Sequence, residues 1–145
     1  MCMAYERKCN CGAGAASFHF QDNIITEKAI KDLYCPSCAK TVVFEKATMV
    51  ADNGWIIRYD MEMAQFSANG KIPVELTPDV LFDGGFCTWN GVYPGDHIDS
   101  VRERAAITVL AKTNPLAYIT KLKSWALDRM EKLKQEGWRK AQKAA

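Results

Sequence analysis

No stretch of this chain is both long enough and apolar enough to cross a bilayer. The longest uncharged runs, residues 9–21 and 84–95, are polar and fall short of the roughly 20 apolar residues that a spanning helix takes. The start, MCMAYERKCNCG, has no apolar core, so it does not read as a signal peptide. Cys2 follows Met1 directly, without the apolar stretch of a lipoprotein signal. No membrane association is expected. Histidine is scarce too. The two in the chain, His19 and His97, have no serine or cysteine placed to complete a triad. Neither sign of charge dominates: 19 basic and 17 acidic residues leave a formal +2, too little to imply a nucleic-acid partner on balance alone. The glycines at 84, 85, 91 and 95 match neither a phosphate loop nor a dinucleotide fingerprint. Internal repeats and low-complexity tracts are absent.

What remains has the composition of an ordinary globular chain. It is 48% hydrophobic and 25% charged over 145 residues, enough to bury a core without a metal holding the whole together. The pattern reads as α+β in three parts. Residues 1–66 form a cysteine-bearing unit and a β-hairpin, residues 67–95 an irregular connection, and residues 96–145 a helical region. In the first part, residues 15–21 alternate apolar and polar and read as a strand. Asp22-Asn23 is a turn signal. Thr26 is placed to cap a short helix over 27–33, with Ala29, Ile30 and Leu33 on one face. Residues 41–51 and 55–59 read as strands joined at Asp52-Asn53-Gly54, since Asn-Gly tolerates the positive φ that a tight hairpin needs.

Farther along, Thr77-Pro78-Asp79 can open one short helix, with Thr77 as cap and Pro78 in the first turn. Asp96 or Ser100 can cap a helix running to about residue 112, and Ser100-Val-Arg-Glu103 fits a capping box. Asn114-Pro115 starts a second helix. Along it Leu116, Ile119, Leu122, Ala126, Met130 and Leu133 share one stripe, and Gly137 closes its regular part.

The chemistry-bearing pattern is Cys9-x-Cys11, then 23 residues, then Cys35-Pro-Ser-Cys38. Two close thiol pairs can supply the four tetrahedral ligands that zinc takes. The two-residue spacing of the second pair lets the chain turn around an ion, and Pro36 preorganises that turn. Gly12 relieves the backbone behind the tighter first pair. Four thiolates on Zn²⁺ leave a net charge near −2, which Arg7, Lys8 and Lys40 can offset. In a reducing cytoplasm, the expected location, six cysteines point to a metal rather than to disulfides.

Cys9-Asn-Cys11-Gly12 and Cys35-Pro-Ser-Cys38 resemble the two knuckles of a zinc ribbon or a rubredoxin-like site. The resemblance covers about residues 7–42. It departs from the usual pattern at the first knuckle, where one residue stands between the cysteines instead of two. It implies one metal ion on Cys9, Cys11, Cys35 and Cys38, with zinc expected and iron the alternative. Four thiolates leave no open coordination position, so the implied role is structural rather than catalytic.

The other candidates read more simply. Cys2 could be a spare ligand or a free thiol, and Cys87, in Phe86-Cys-Thr-Trp89, reads as a buried inert thiol. His19 sits on the strand opposite Phe18 and Phe20, and His97 between Asp96 and Asp99 reads as neutralising a carboxylate. Asp60, Glu62 and Glu75 form no recognisable acid–base pair. Residues 115–145 hold eight basic and three acidic side chains, a local +5 that leaves the rest at −3. Asp128 with Lys132 and Glu136 with Lys140 stand four apart, as solvated helix pairs do. Trp125 and Trp138 on this basic helix point to burial or to an interface. The expected function is a non-catalytic zinc-binding adaptor or accessory subunit, partnered by a larger protein or a second copy through the C-terminal helices. An iron electron carrier and a zinc-ribbon nucleic-acid binder are the alternatives.

Overall fold

The computed structural model of the protein describes residues 4–143, and the expectation concerning Cys2 lies outside them. In chain order the elements are β1 (Ala4–Lys8), β2 (Ala15–His19), β3 (Ile30–Tyr34), β4 (Met49–Asp52), β5 (Trp55–Tyr59), α1 (Met61–Ala68), α2 (Pro78–Asp83), β6 (Thr88–Trp89), α3 (Asp96–Thr108), α4 (Leu110–Thr113), α5 (Pro115–Glu136) and α6 (Arg139–Lys143). Helices and antiparallel strands together make an α+β fold. The strands form two three-stranded sheets, one ordered β1-β2-β6 and the other β3-β5-β4.

The hairpin of β4 and β5 turns on Asn53-Gly54, with φ of 51° and 93°. Both residues in the left-handed region give a turn whose twist matches that of the strands. The first hairpin strand is shorter than expected: residues 42–48 are loop and turn, and pairing begins at Met49. A larger correction concerns residues 27–33. Only Glu27–Ala29 coil, as a single 3-10 turn whose Thr26 makes no side-chain cap. Ile30–Tyr34 is a strand instead, paired with β5 so that Leu33 faces Ile57 across the ladder. Ala29, Ile30 and Leu33 are buried as expected of an apolar face, but a strand edge beside β5 supplies the partners that a lone short helix lacks.

One large core lies under both sheets, and a smaller cluster of Leu133, Trp138 and Ala141 sits beside it. Trp89 stands at the centre of the large core, fully buried, with ring centroids 5.3 Å from Phe18, 5.8 Å from Phe82 and 6.0 Å from Trp55. The region expected to be irregular holds the short helix that its Thr77-Pro78 signal predicts, and one unexpected strand. Thr77 caps α2, its hydroxyl accepting from the Val80 N–H at 3.2 Å, with Pro78 in the first turn. The two residues of β6 extend the β1–β2 sheet. Helix α1 straddles the boundary at residue 66 between the hairpin-bearing part and the region expected to be irregular. Asp60 caps it by accepting from the Met63 N–H at 3.2 Å, and Asn69, at φ 44°, ends it.

The C-terminal region is helical, with two departures. The Ser100 capping box is not made: α3 starts at Asp96, and the Ser100 hydroxyl turns to the His97 carbonyl. Helix α5 is capped by Asn114, whose side chain accepts from the Ala117 N–H at 3.2 Å, and Gly137 closes it at φ 94°. Its expected apolar stripe is buried only at the far end. Leu133 is buried, whereas Leu116 is 78% and Ile119 50% exposed.

Helix α6 explains why that end is buried. Asp52, 1% exposed, accepts from the Trp89 indole N–H at 2.7 Å and from the Arg139 backbone N–H at 3.0 Å. The Arg139 guanidinium bridges Asp79 at 3.2 Å and Asp83 at 2.8 Å on α2. Lys140 donates to the Trp89 carbonyl at 2.9 Å rather than pairing with Glu136, which accepts from the Trp138 indole. Part of the basic C-terminal charge therefore works inside the molecule, holding the last helix on the core.

Candidate metal centre

Three chain segments converge on the four cysteines. Cys9 and Cys11 follow β1, Cys35 follows β3, and Cys38 opens the 3-10 turn Cys38–Thr41. Their four Sγ atoms lie within 4.8 Å of one another. The separations are 3.1 Å for Cys9–Cys11, 3.5 Å for Cys11–Cys35 and 3.7 Å for Cys35–Cys38. Each is far beyond a disulfide bond, and all four thiols are free. A tetrahedral zinc site with Zn–S bonds of about 2.3 Å places its sulfurs roughly 3.8 Å apart. The donor set and its spacing fit such an ion with small inward and outward adjustments.

The one-residue first knuckle works because of Asn10. The chain leaves β1 at Lys8 and turns, with Asn10 and Cys11 at the centre of a turn closed by the Gly12 N–H on the Cys9 carbonyl. Asn10 points to β3. Its backbone N–H donates to the Leu33 carbonyl at 2.8 Å. Its side chain donates to Asp32 at 3.0 Å and accepts from the Leu33 N–H at 3.4 Å. Asp32 is held in turn by Arg58 of β5 at 3.2 Å. The knuckle is thus stitched to the strand that leads into Cys35. Gly12 turns the chain back at φ 78°, its N–H donating to the Cys9 carbonyl at 2.9 Å.

The second knuckle is braced by the hairpin. A Cβ on Gly14 would stand 3.0 Å from the Trp55 ring and 3.4 Å from the Cys35 Cβ, so the glycine gives the indole room to pack tightly beside the site. The same Trp55 touches Trp89 in the core. Sequence reasoning missed Asn10, Asp32, Arg58 and Trp55. Asn10 sits inside the motif and is its one readable signal; the partners come from strands distant in sequence.

Electrostatics favour metal uptake. Backbone N–H groups point at sulfur: Gly14 at Cys9, 3.3 Å, and Cys35 at Cys38, 3.2 Å. Burial alone would raise the Cys9 thiol, but hydrogen bonds from Cys11, the Gly14 N–H and Cys35 outweigh it and bring it down to about 6. Cys35 is also lowered, chiefly through its hydrogen bond with the Cys38 backbone. Cys11 carries the opposite share. The Ala13 backbone pulls it down, but the neighbouring Cys9 and Cys35 sulfurs dominate and push it up to about 12. Crowded sulfurs resist holding more than one or two negative charges until a cation joins them. Arg7, expected to offset that charge, instead donates to the carbonyls of Ile30 and Lys31, tying β1 to β3. Cys9 and Cys35 are buried, Cys38 is half-buried and Cys11 is exposed, so the cluster sits at the surface with one ligand facing water.

The other candidates are not drawn into this site. Cys87 is fully buried, and burial pushes its thiol far up. The phenol of Tyr59 donates to its carbonyl at 2.6 Å. Asp96 accepts from the Val92 N–H at 2.7 Å and pairs with Arg129, while Asp99 accepts from the Tyr93 phenol at 2.6 Å. The two carboxylates beside His97 therefore serve separate structural bonds, and His97 itself is exposed. Trp125 donates to Glu103 at 2.9 Å, and the Arg129 guanidinium lies over both the Trp125 and Tyr93 rings. No helix among the described residues is long and apolar enough to cross a membrane.

Comparison with protein-family models, with curated proteins and with solved structures finds no match.

Proposed function

We propose that the chain is a zinc-binding, non-catalytic protein that acts as an adaptor or accessory subunit in a reducing compartment. The observation carrying this reading is the convergence of four free thiols, with Sγ atoms within 4.8 Å, at the joint between two sheets. Four sulfur ligands would fill a tetrahedral zinc shell and leave no position for a substrate or an activated water. An ion there would link β1, β3 and the turn after it, and so contribute folding energy rather than chemistry. Zinc is favoured over iron by the asymmetry of the two knuckles. Cys9-x-Cys11 is a short chelate held by Asn10, unlike the matched pair that a rubredoxin-type iron centre uses.

Cobalt substitution tests the coordination. Under reducing conditions the zinc-free chain should take up one Co²⁺, with the absorption of a tetrahedral thiolate complex. Cys35→Ser should weaken or abolish that spectrum. Octahedral-type absorption, or uptake that Cys35→Ser leaves unchanged, rejects the four-thiolate assignment.

A further inference from the structure

The turn that joins β4 to β5 stands between the metal centre and the last helix. On one side it meets the second knuckle. A Cβ on Gly54 would stand 3.3 Å from the Pro36 ring, so the turn lies directly against a residue held between Cys35 and Cys38. The tip of the Trp55 indole lies beside Gly14, next to the Cys35 Cβ. On the other side the same turn meets the C-terminus. Asp52 accepts from the Arg139 N–H at 3.0 Å, and Trp55 packs against the cluster of Leu133, Trp138 and Ala141. Asp52 and Trp55 face each other across the hairpin, so a shift at one end of the turn reaches the other.

The second knuckle has little hold on the core. From Pro36 through Thr48 no residue is buried. Buried apolar surface is what fixes most segments, and a segment without it opens at low cost. Cys38, half-buried, is this segment's share of the metal centre. An ion shared with Cys9 and Cys11 would supply the missing anchor, and would press Pro36 onto the hairpin turn.

We propose, on the zinc reading of the centre, that this turn couples the metal centre to the C-terminal helix: α6 is firmly seated while the four thiols share an ion, and loosens when the ion is withdrawn. The input is a divalent metal ion. The output is the segment carrying Trp138, Arg139 and Lys140. Such coupling is reciprocal, so a poorly seated α6 weakens metal binding by the same factor. The remaining ties of α6 run from Arg139 to Asp79 and Asp83, and from Lys140 to the Trp89 carbonyl. They do not pass through the knuckle, so α6 loosens on metal loss and is not cast off.

The test uses the full reduced chain with zinc and after chelation. The Arg139 and Gln142 N–H groups bond to Asp52 and to the Trp138 carbonyl. On chelation both should exchange at least about fivefold faster, and the Trp138 indole signal should shift. The Ala64 N–H of α1, bonded to the Asp60 carbonyl, lies off this route and should change less than about twofold. Zinc affinity is then compared by chelator competition. Trp138→Ala should bind zinc at least about fivefold more weakly. Ile25→Val, a cut in the large core outside the turn and α6, should stay within about twofold of the parent. In a Trp55→Leu background, Trp138→Ala should cost less than about twofold more, because the route is already broken. Far-UV dichroism of each loaded variant shows that the fold is kept. The proposal is overturned if chelation moves the knuckle signals and leaves Arg139 and Trp138 unchanged, or if Trp138→Ala binds zinc as the parent does. It is equally overturned if Ile25→Val weakens binding as much as Trp138→Ala, or if the substitutions at 55 and 138 add in full. A parent chain that takes up no zinc rejects the metal centre and the coupling with it. Zinc uptake with an indifferent α6 rejects the coupling alone.

Discussion

Asn10→Ala removes the side chain that orients the first knuckle and spares all four ligands. Two hydrogen bonds go: the donation to Asp32 at 3.0 Å and the acceptance from the Leu33 N–H at 3.4 Å. The backbone bond from Asn10 to the Leu33 carbonyl stays, so the knuckle is loosened and not detached. One lost bond is exposed and the other long, so each sits toward the low end of the ~0.5–1.5 kcal/mol that a hydrogen bond contributes. Together they amount to about 1.5 kcal/mol, a factor of roughly ten in metal affinity, within the range found for groups that hold metal ligands in place. Competition against a chromophoric chelator at fixed pH measures it. The cobalt spectrum of the variant should match the parent, since the ligands are unchanged. Asn10→Asp should be worse than Asn10→Ala, because it sets a second carboxylate about 3 Å from Asp32. Affinity within threefold of the parent for Asn10→Ala, or an Asn10→Asp variant that binds as tightly, refutes the positioning role.

Other outcomes follow from the same geometry. Asp52→Ala strands the Trp89 indole and the Arg139 N–H inside the protein at about 1–3 kcal/mol each, partly offset because burial already pushes the Asp52 carboxyl upward. A melting temperature roughly 5–10 °C lower is expected, and a shift under 2 °C contradicts the tie. In the zinc-free chain one thiolate should appear with a midpoint near pH 6, read by its ultraviolet absorbance, and Cys9→Ser should erase that step. The sign follows: a thiol lowered from 9.0 to about 6 lets the folded chain hold fewer protons between those values. Zinc-free stability should therefore rise with pH across that window, and its share is lost as pH falls through 6. Stability that falls from pH 6 to pH 8 contradicts the assignment. Gly14→Ala should push Trp55 off the site and weaken zinc binding while leaving the far-UV spectrum unchanged. An unaffected affinity would mean that the indole does not brace the knuckle.

Local chemistry made parts of the fold readable. Asn53-Gly54, Thr77-Pro78 and Asn114-Pro115 each carry their turn or cap in adjacent residues, and each stands where its sequence placed it. The cysteine pairs are equally local, and the fold brings them together. The errors have a common cause. Ala29, Ile30 and Leu33 are spaced as on a helix, but pairing of Ile30–Tyr34 with β5, 22 to 29 residues away, decides their state. The stripe on α5 is real in spacing, yet only Leu133 of it is buried, because among the described residues none covers the outer hairpin. Helix α1 hid between a hairpin and a glycine-rich stretch, although Asp60 and Asn69-Gly70 marked both its ends. Asp32, Arg58 and Trp55 could not be assigned to the metal centre before the strand register was known.

The central claim is a single structural zinc on Cys9, Cys11, Cys35 and Cys38. Metal analysis with an absorption spectrum, on protein purified without oxygen and without added metal, tests it most directly. One zinc per chain, a colourless solution, and loss of the folded N-terminal signals on chelation are predicted. Stoichiometric iron with visible absorption, or a metal-free chain whose fold is indifferent to chelators, would contradict it.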